Sequence, residues 1–273
     1  MFEFSQDTPH TWPSMVRIRQ RLPYYRHEHV CRTQHCGLGA GVILSTNFVL
    51  TTRSQCHSRY TIYINKMNRD QLVRPTDMSV AVGAHYDISC AYSELCNEYK
   101  GTYKNTTGSI VSVRKIIVRR KLCLIKVDDM PLENKIVTAA VLPSIHIGDV
   151  PMNPKCFAVG WGATSSGKYA KQSPVILSTM INVINTGSCT NSTHPVYKHV
   201  NSLYNFCAGT VSGHDVCEDD GSPVICIVDD LQVVYGILSN GPRRCGNKRG
   251  NLPRIYSTVA KSFSWIRQYV PGK

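Results

Sequence analysis

Acidic side chains are scarce in this chain. Its 18 Asp and Glu stand against 31 Lys and Arg, a formal net charge of +13 over 273 residues. No apolar run approaches the roughly 18 residues that a membrane-spanning helix needs, which excludes such a helix. No CxxC pair occurs, so a zinc ribbon is excluded as well. Only 18% of residues are charged while 42% are hydrophobic, and no low-complexity stretch or repeat breaks the chain, so disorder is excluded. The opening residues MFEFSQDTPHTWP carry acids, a histidine and prolines, and do not make the apolar core of a secretion signal. What is present is cysteine. Twelve of them at irregular spacing point to a disulfide framework and an oxidising compartment, so the protein reads as secreted, its signal removed or its start placed elsewhere.

The basic excess is clustered at Arg17, Arg19 and Arg21, at Arg114–Lys121 and at Arg243–Arg249. These clusters are either solvated strand edges and loops or a surface for an acidic partner, a sulfated glycan or an anionic surface. Extracellular cysteine usage argues against nucleic acid, and no membrane partner is expected. Short β-type runs recur between turn signals, at Met15–Arg19, Ala40–Leu44, Phe48–Thr52, Tyr60–Ile64, Ile110–Val118, Leu122–Val127, Ile136–Leu142, Lys155–Gly160, Val175–Ile184, Val224–Val228 and Leu231–Leu238. Many short strands of this kind predict a sandwich or barrel. Helical spacing appears at Val259–Val270, with Val259, Phe263, Ile266 and Val270 on one face. The chain therefore reads as all-β with a C-terminal helix, its halves joined at Asp128–Lys135.

A family resemblance enters with the motifs. GVILSTNFVLTTRSQC (Gly41–Cys56) resembles the segment leading to the catalytic histidine of chymotrypsin/trypsin-like serine proteases, and LCLIKV (Leu122–Val127) the strand after the catalytic aspartate. CFAVGWG, NFCAG, DVCEDDGSPVIC and the stretch from Tyr235 to Tyr256 resemble the remaining hallmarks in order. The resemblance covers nearly the whole chain. It implies two six-stranded antiparallel barrels, about 14–127 and 136–258, then the helix at about 259–270, all in one peptidase S1-type domain. It implies the bridges Cys156–Cys226, Cys189–Cys207, Cys217–Cys245 and Cys36–Cys56, with Cys31 as the alternative partner of Cys56. Cys90 and Cys96 can close a local bridge, which leaves Cys31 and Cys123 over.

Within that resemblance the catalytic positions are degenerate. The family histidine precedes the cysteine, where this chain has Gln55; counting forward from Phe48 gives Ser54, because the segment is one residue longer. Neither side chain is a base near neutral pH, and His57 lies one step past Cys56. The aspartate position falls on Lys121. The nucleophile segment is one residue short, so that Gly221 or the deletion itself takes the serine position, Ser222 is displaced, and Asp219 replaces an oxyanion-hole glycine. Loss of a triad costs on the order of 10⁶ in turnover, so no peptide cleavage is expected.

Asp215 matches the aspartate at the base of the specificity pocket. Asp220 matches the one that receives the new N-terminal ammonium after activation, although no IVGG-like segment is present. Both are alternatively inherited loop residues bonded to backbone amides. Ser239, Asn240 and Gly241 form the pocket rim, and Arg254 replaces a pocket glycine, either reaching in toward Asp215 or turning out to solvent. Sequons place glycans at Asn105 and Asn191. The implied role is a catalytically inactive secreted serine protease homologue without metal or cofactor. It would act by binding an extracellular protein partner, an acidic or glycan-bearing one included, as cofactor or regulator in an immune (haemolymph) or reproductive (seminal) fluid. A decoy or inhibitor-capturing protein is the alternative, and an active endopeptidase with a rearranged site is the remaining one.

Overall fold

The computed structural model describes residues 5–6, 10–20, 39–57, 71–85, 108–132, 135–144, 155–162, 173, 175–184, 189, 195–210, 220–240 and 253–272. Six strands form a closed antiparallel barrel in the order β2-β3-β4-β7-β6-β5. These are β2 (Met15–Gln20), β3 (Gly39–Ser45), β4 (Phe48–Thr52), β5 (Met78–Val82), β6 (Ser109–Arg119) and β7 (Leu122–Val127). Pairing of β2 with β5, from Val16↔Val82 to Gln20↔Met78, closes it.

A second closed barrel runs β8-β9-β10-β13-β12-β11, sealed by Phe157↔Met180 between β8 (Lys155–Gly160) and β9 (Leu177–Ile184). Its other strands are β10 (Asn205–Thr210), β11 (Pro223–Val228), β12 (Leu231–Asn240) and β13 (Arg254–Thr258). A two-residue strand β1 (Ser5–Gln6) adds to the outside of β9.

Strand alternation decides what each barrel encloses. On β2 and β7 the residues Val16, Ile18, Cys123, Ile125 and Val127 point into an aliphatic first-barrel core. The opposite faces, with Met15, Leu122 and Leu124, enter a larger core between the barrels that also takes Leu50, Trp161, Ile225 and Val234. The chain end seals that seam. A 3-10 turn (Ala260–Ser262) leads into a short helix, Phe263–Arg267, and the expected face of Val259, Phe263, Ile266 and Val270 is buried. The helix proper is shorter than expected because its first turn is 3-10 and its last residues form turns.

Two expectations need correction. Ile136–Leu142 forms no strand; only Val141 bridges Val233. Of the first basic cluster, Arg17 is no surface cation: it is 1% exposed, with its guanidinium 5.4 Å from the centre of the Trp161 ring. Strand parity is the reason, since Arg17 shares the seam-facing side of β2 with Met15. Beside it His85 is buried, and Trp161 Nε1 donates to its carbonyl at 3.1 Å. Burial, and then the neighbouring His10, hold the His85 imidazole below its ordinary pKa. Tyr60–Ile64, Arg19's neighbour Arg21 and the Arg243–Arg249 cluster lie outside the described residues.

Candidate functional site

At the end of β4 the chain turns into a single helical turn, α1 (Arg53–Cys56). Thr52 is extended and gives no side-chain cap. A carbonyl caps it instead: Lys121 O accepts from Arg53 N at 2.7 Å and from Thr52 Oγ1 at 3.2 Å. At the other end Gln20 Nε2 donates to the carbonyls of Gln55 and His57, both at 2.8 Å. This clamp decides which residue of α1 faces the cleft. Gln55 and Cys56 turn inward, and Ser54 is exposed. The Gln55 carboxamide lies where a side chain at Gly39 would go, and neither its Nε2 nor its Oε1 has a hydrogen-bond partner among the described residues.

Ser54 Oγ donates to Asp220 Oδ2 at 3.3 Å across the cleft between the barrels. Asp220 is held by its backbone, whose carbonyl accepts from Ala40 N at 3.1 Å. Gly221 follows with φ +90°, and a β-carbon there would collide with Ala40 O and Thr51 Oγ1. Only glycine tolerates that backbone and that approach. Gly221 N then donates to Leu238 O at 3.2 Å, and Leu238 N to Ser222 O at 2.8 Å, while Thr51 Oγ1 donates to Ala40 O at 2.7 Å. The side chain that meets Ser54 thus belongs to Asp220, one residue before Gly221, which, with the deletion itself as the alternative, is expected at the serine position. Ser222 is fully buried, and its hydroxyl has no partner among the described residues. Asp219 and Asp215 lie outside the described residues.

Lys121 contributes its carbonyl to the site while its side chain is exposed. His57 is the residue that follows α1 at its C-terminal end. It bridges Leu72 on β-type backbone, and its Nε2 accepts from Arg53 Nε at 3.0 Å. Of the pocket residues, Arg254 is 8% exposed and opens β13, so it does not extend into solvent. Ser239 is the extra residue of a bulge between the Leu238↔Tyr256 and Asn240↔Ile255 pairs, with its hydroxyl donating to Ile255 O at 3.2 Å. Gly241 and the sequon residues Asn105 and Asn191 are outside the described residues.

Among the described residues three disulfides fix the frame. Cys156–Cys226 joins directly paired residues of β8 and β11, and Cys189–Cys207 ties a loop to β10, both as the resemblance implies. The expected Cys36–Cys56 bridge, with its Cys31 alternative, is wrong. Cys56 bonds Cys123 on β7. The physical reason is direction: α1 packs beside β7, Cys56 turns inward, and Cys123 points into the same core at 0% exposure. The pairing implied by the resemblance leaves Cys31 and Cys123 over, and that surplus was the available signal. Cys31, Cys36, Cys90, Cys96, Cys217 and Cys245 lie outside the described residues. Sequence reading also missed Thr51 and Gln20, ordinary strand residues whose roles arise only from what folds beside them.

The family model for trypsin matches residues 2–266. The chain belongs to the trypsin family. Among similar proteins, Kallikrein 1-related peptidase b24 of Mus musculus is 26% identical over 238 residues, covering 85% of this chain and 79% of that protein. Spermosin of Halocynthia roretzi is 30% identical over 123 residues, covering 45% of this chain and 29% of that protein. The trypsin-family frame here includes both closed barrels and the bridges Cys156–Cys226 and Cys189–Cys207.

Proposed function

We propose that this trypsin-family protein is secreted and does not cleave peptides, and that it acts by binding another extracellular protein, as a cofactor or regulator. The observation that carries the reading is the Ser54–Asp220 hydrogen bond at the mouth of the cleft. Serine-protease chemistry needs an imidazole to take the nucleophile's proton and an acid to orient that imidazole. In this cleft a serine faces a carboxylate, and a carboxylate is an intrinsically weaker base than imidazole. The neighbouring position presents Lys121, a cation where an orienting anion is required. His57 supports no rescue, since its Nε2 is occupied by Arg53. A secreted setting is supported by the three disulfides, whose bonds persist in oxidising compartments.

The decoy alternative needs an open specificity pocket, and the burial of Arg254 speaks against one. An inward Arg254 would satisfy Asp215 as a substrate arginine does, by a charge-assisted hydrogen bond. The purified protein is expected to resist a fluorophosphonate probe, to hydrolyse no peptide or ester substrate, and to ignore benzamidine. Arg254→Gly should restore benzamidine binding without restoring labelling. Stoichiometric fluorophosphonate labelling, blocked by an active-site competitor, would overturn the non-catalytic reading.

A further inference from the structure

The β6–β7 hairpin carries a line of cations with few acids to offset them, and Lys126 Nζ lies 5.9 Å from the centre of the Phe48 ring. Its register sets Lys115 directly opposite Lys126, both exposed, and like charges at facing positions of an antiparallel pair are unfavourable. Four residues along β6, about 13 Å at strand spacing, Arg119 follows on the same face. Arg120 and Lys121 then form the exposed tip. The acids nearby are committed or few. Asp128 holds Arg114, the bulge residue, at 2.6 Å, Asp129 is exposed just beyond, and Asp220 faces Ser54. Among the described residues no ion pair involves Lys115, Arg119, Lys121 or Lys126.

The tip is also held in place. Arg120 has φ +55°, an unfavourable conformation for a residue with a side chain, and its guanidinium lies 3.6 Å from the centre of the Tyr204 ring, just before β10 of the other barrel. The Lys121 carbonyl is bonded twice by the start of α1, which brings Arg53 beside the tip. The backbone that carries the charge is therefore held in place, so that binding has to order the exposed side chains but not the hairpin tip itself.

We propose that this hairpin is a docking strip for a sulfated polysaccharide. The occupant follows from the shape of the charge. A stable protein interface needs a desolvated apolar centre, whereas between Lys115 and Arg119 this face offers only the half-buried Ile117. A linear polyanion needs no such centre. The strip adds a glycan ligand beside the protein partner of the proposed function, and it rests on that reading for its extracellular setting, not for the loss of catalysis.

Elution from immobilised heparin and from a sulfopropyl cation exchanger, compared across three proteins, tests it. The unmodified protein should leave heparin at clearly higher salt than the exchanger. The triple variant Lys115→Thr, Arg119→Thr, Lys126→Thr should lose that excess, with a shallower salt dependence of heparin binding. A charge-matched control, Lys135→Thr, Lys155→Thr, Lys261→Thr, at exposed positions elsewhere, should keep it. Equal elution of the unmodified protein from both resins would overturn the strip, and so would the same loss in both triple variants. Polyglutamate competing as well as heparin at matched charge would overturn the glycan assignment in favour of an acidic polypeptide. Should the hairpin variant fail to fold, Arg119→Gln alone carries the test. Fluorophosphonate labelling is read separately, so failure of the strip leaves the catalytic question intact.

Discussion

The cleft has two sides that differ in how they are held. Its backbone side, made by Ala40, Thr51, Gly221, Ser222 and Leu238, is buried and joined by hydrogen bonds of 2.7 to 3.2 Å. Its side-chain side, made by Ser54, Asp220 and Lys121, is more open to solvent and carries the 3.3 Å contact between Ser54 and Asp220. The difference teaches where a protease fold stores its stability. Buried backbone groups must find partners or cost about 1–3 kcal/mol each, so the frame resists change. Exposed side chains at the mouth contribute little to folding and can be exchanged without consequence for it.

Experiments on the two sides should separate widely. Opening the Cys56–Cys123 bridge by Cys56→Ala with Cys123→Ala detaches α1 from β7, and for the 67-residue separation the chain-entropy model gives a loss of about 4 kcal/mol. Urea unfolding measures it, and non-reducing peptide mapping of the unmodified protein should recover the linked Cys56 and Cys123 peptides. Gly221→Ala forces a β-carbon against Ala40 O and Thr51 Oγ1 at positive φ, and should cost about 3 kcal/mol from overpacking and backbone strain together.

A smaller effect tests the seam behind the cleft. His85 favours its neutral form when folded, so the unfolded chain binds the proton more readily. Stability is complete above the ordinary histidine pKa of about 6.5 and falls as pH drops below it. Melting curves from pH 7.5 to 5 should show the decline, and His85→Gln should flatten it. At the bottom of the scale, Ser54→Ala removes the cleft contact and should change stability by less than about 0.5 kcal/mol. If Ser54→Ala proves as costly as Gly221→Ala, the division between frame and mouth fails.

Much of the frame is legible in the residues. The alternation of LCLIKV, the run before Cys56 and the ordered cysteines lead to two barrels, and Val259, Phe263, Ile266 and Val270 lead to the buried helical face. The site is legible in kind but not in register. One residue extra before Cys56 leaves Ser54 or Gln55 at the histidine position, and one missing before Cys226 leaves Gly221 or the deletion itself at the serine position, whereas the side chain across from Ser54 is that of Asp220. Counting runs along the chain, but the residue that faces the cleft is selected by what lies across from it.

Composition and spacing by themselves determined the all-β class, and the family resemblance carried by the motifs implied the two barrels and two of the three described bridges. These are properties of pattern, and pattern is local. Tertiary structure alone decided that Cys56 bonds Cys123, that Arg17 is buried over Trp161, that Ser54 meets Asp220, and that Lys121 caps α1 with its carbonyl. Each of these joins residues tens of positions apart or more, and which partners meet is fixed only when the strands close, since strand register and parity choose one side of every residue.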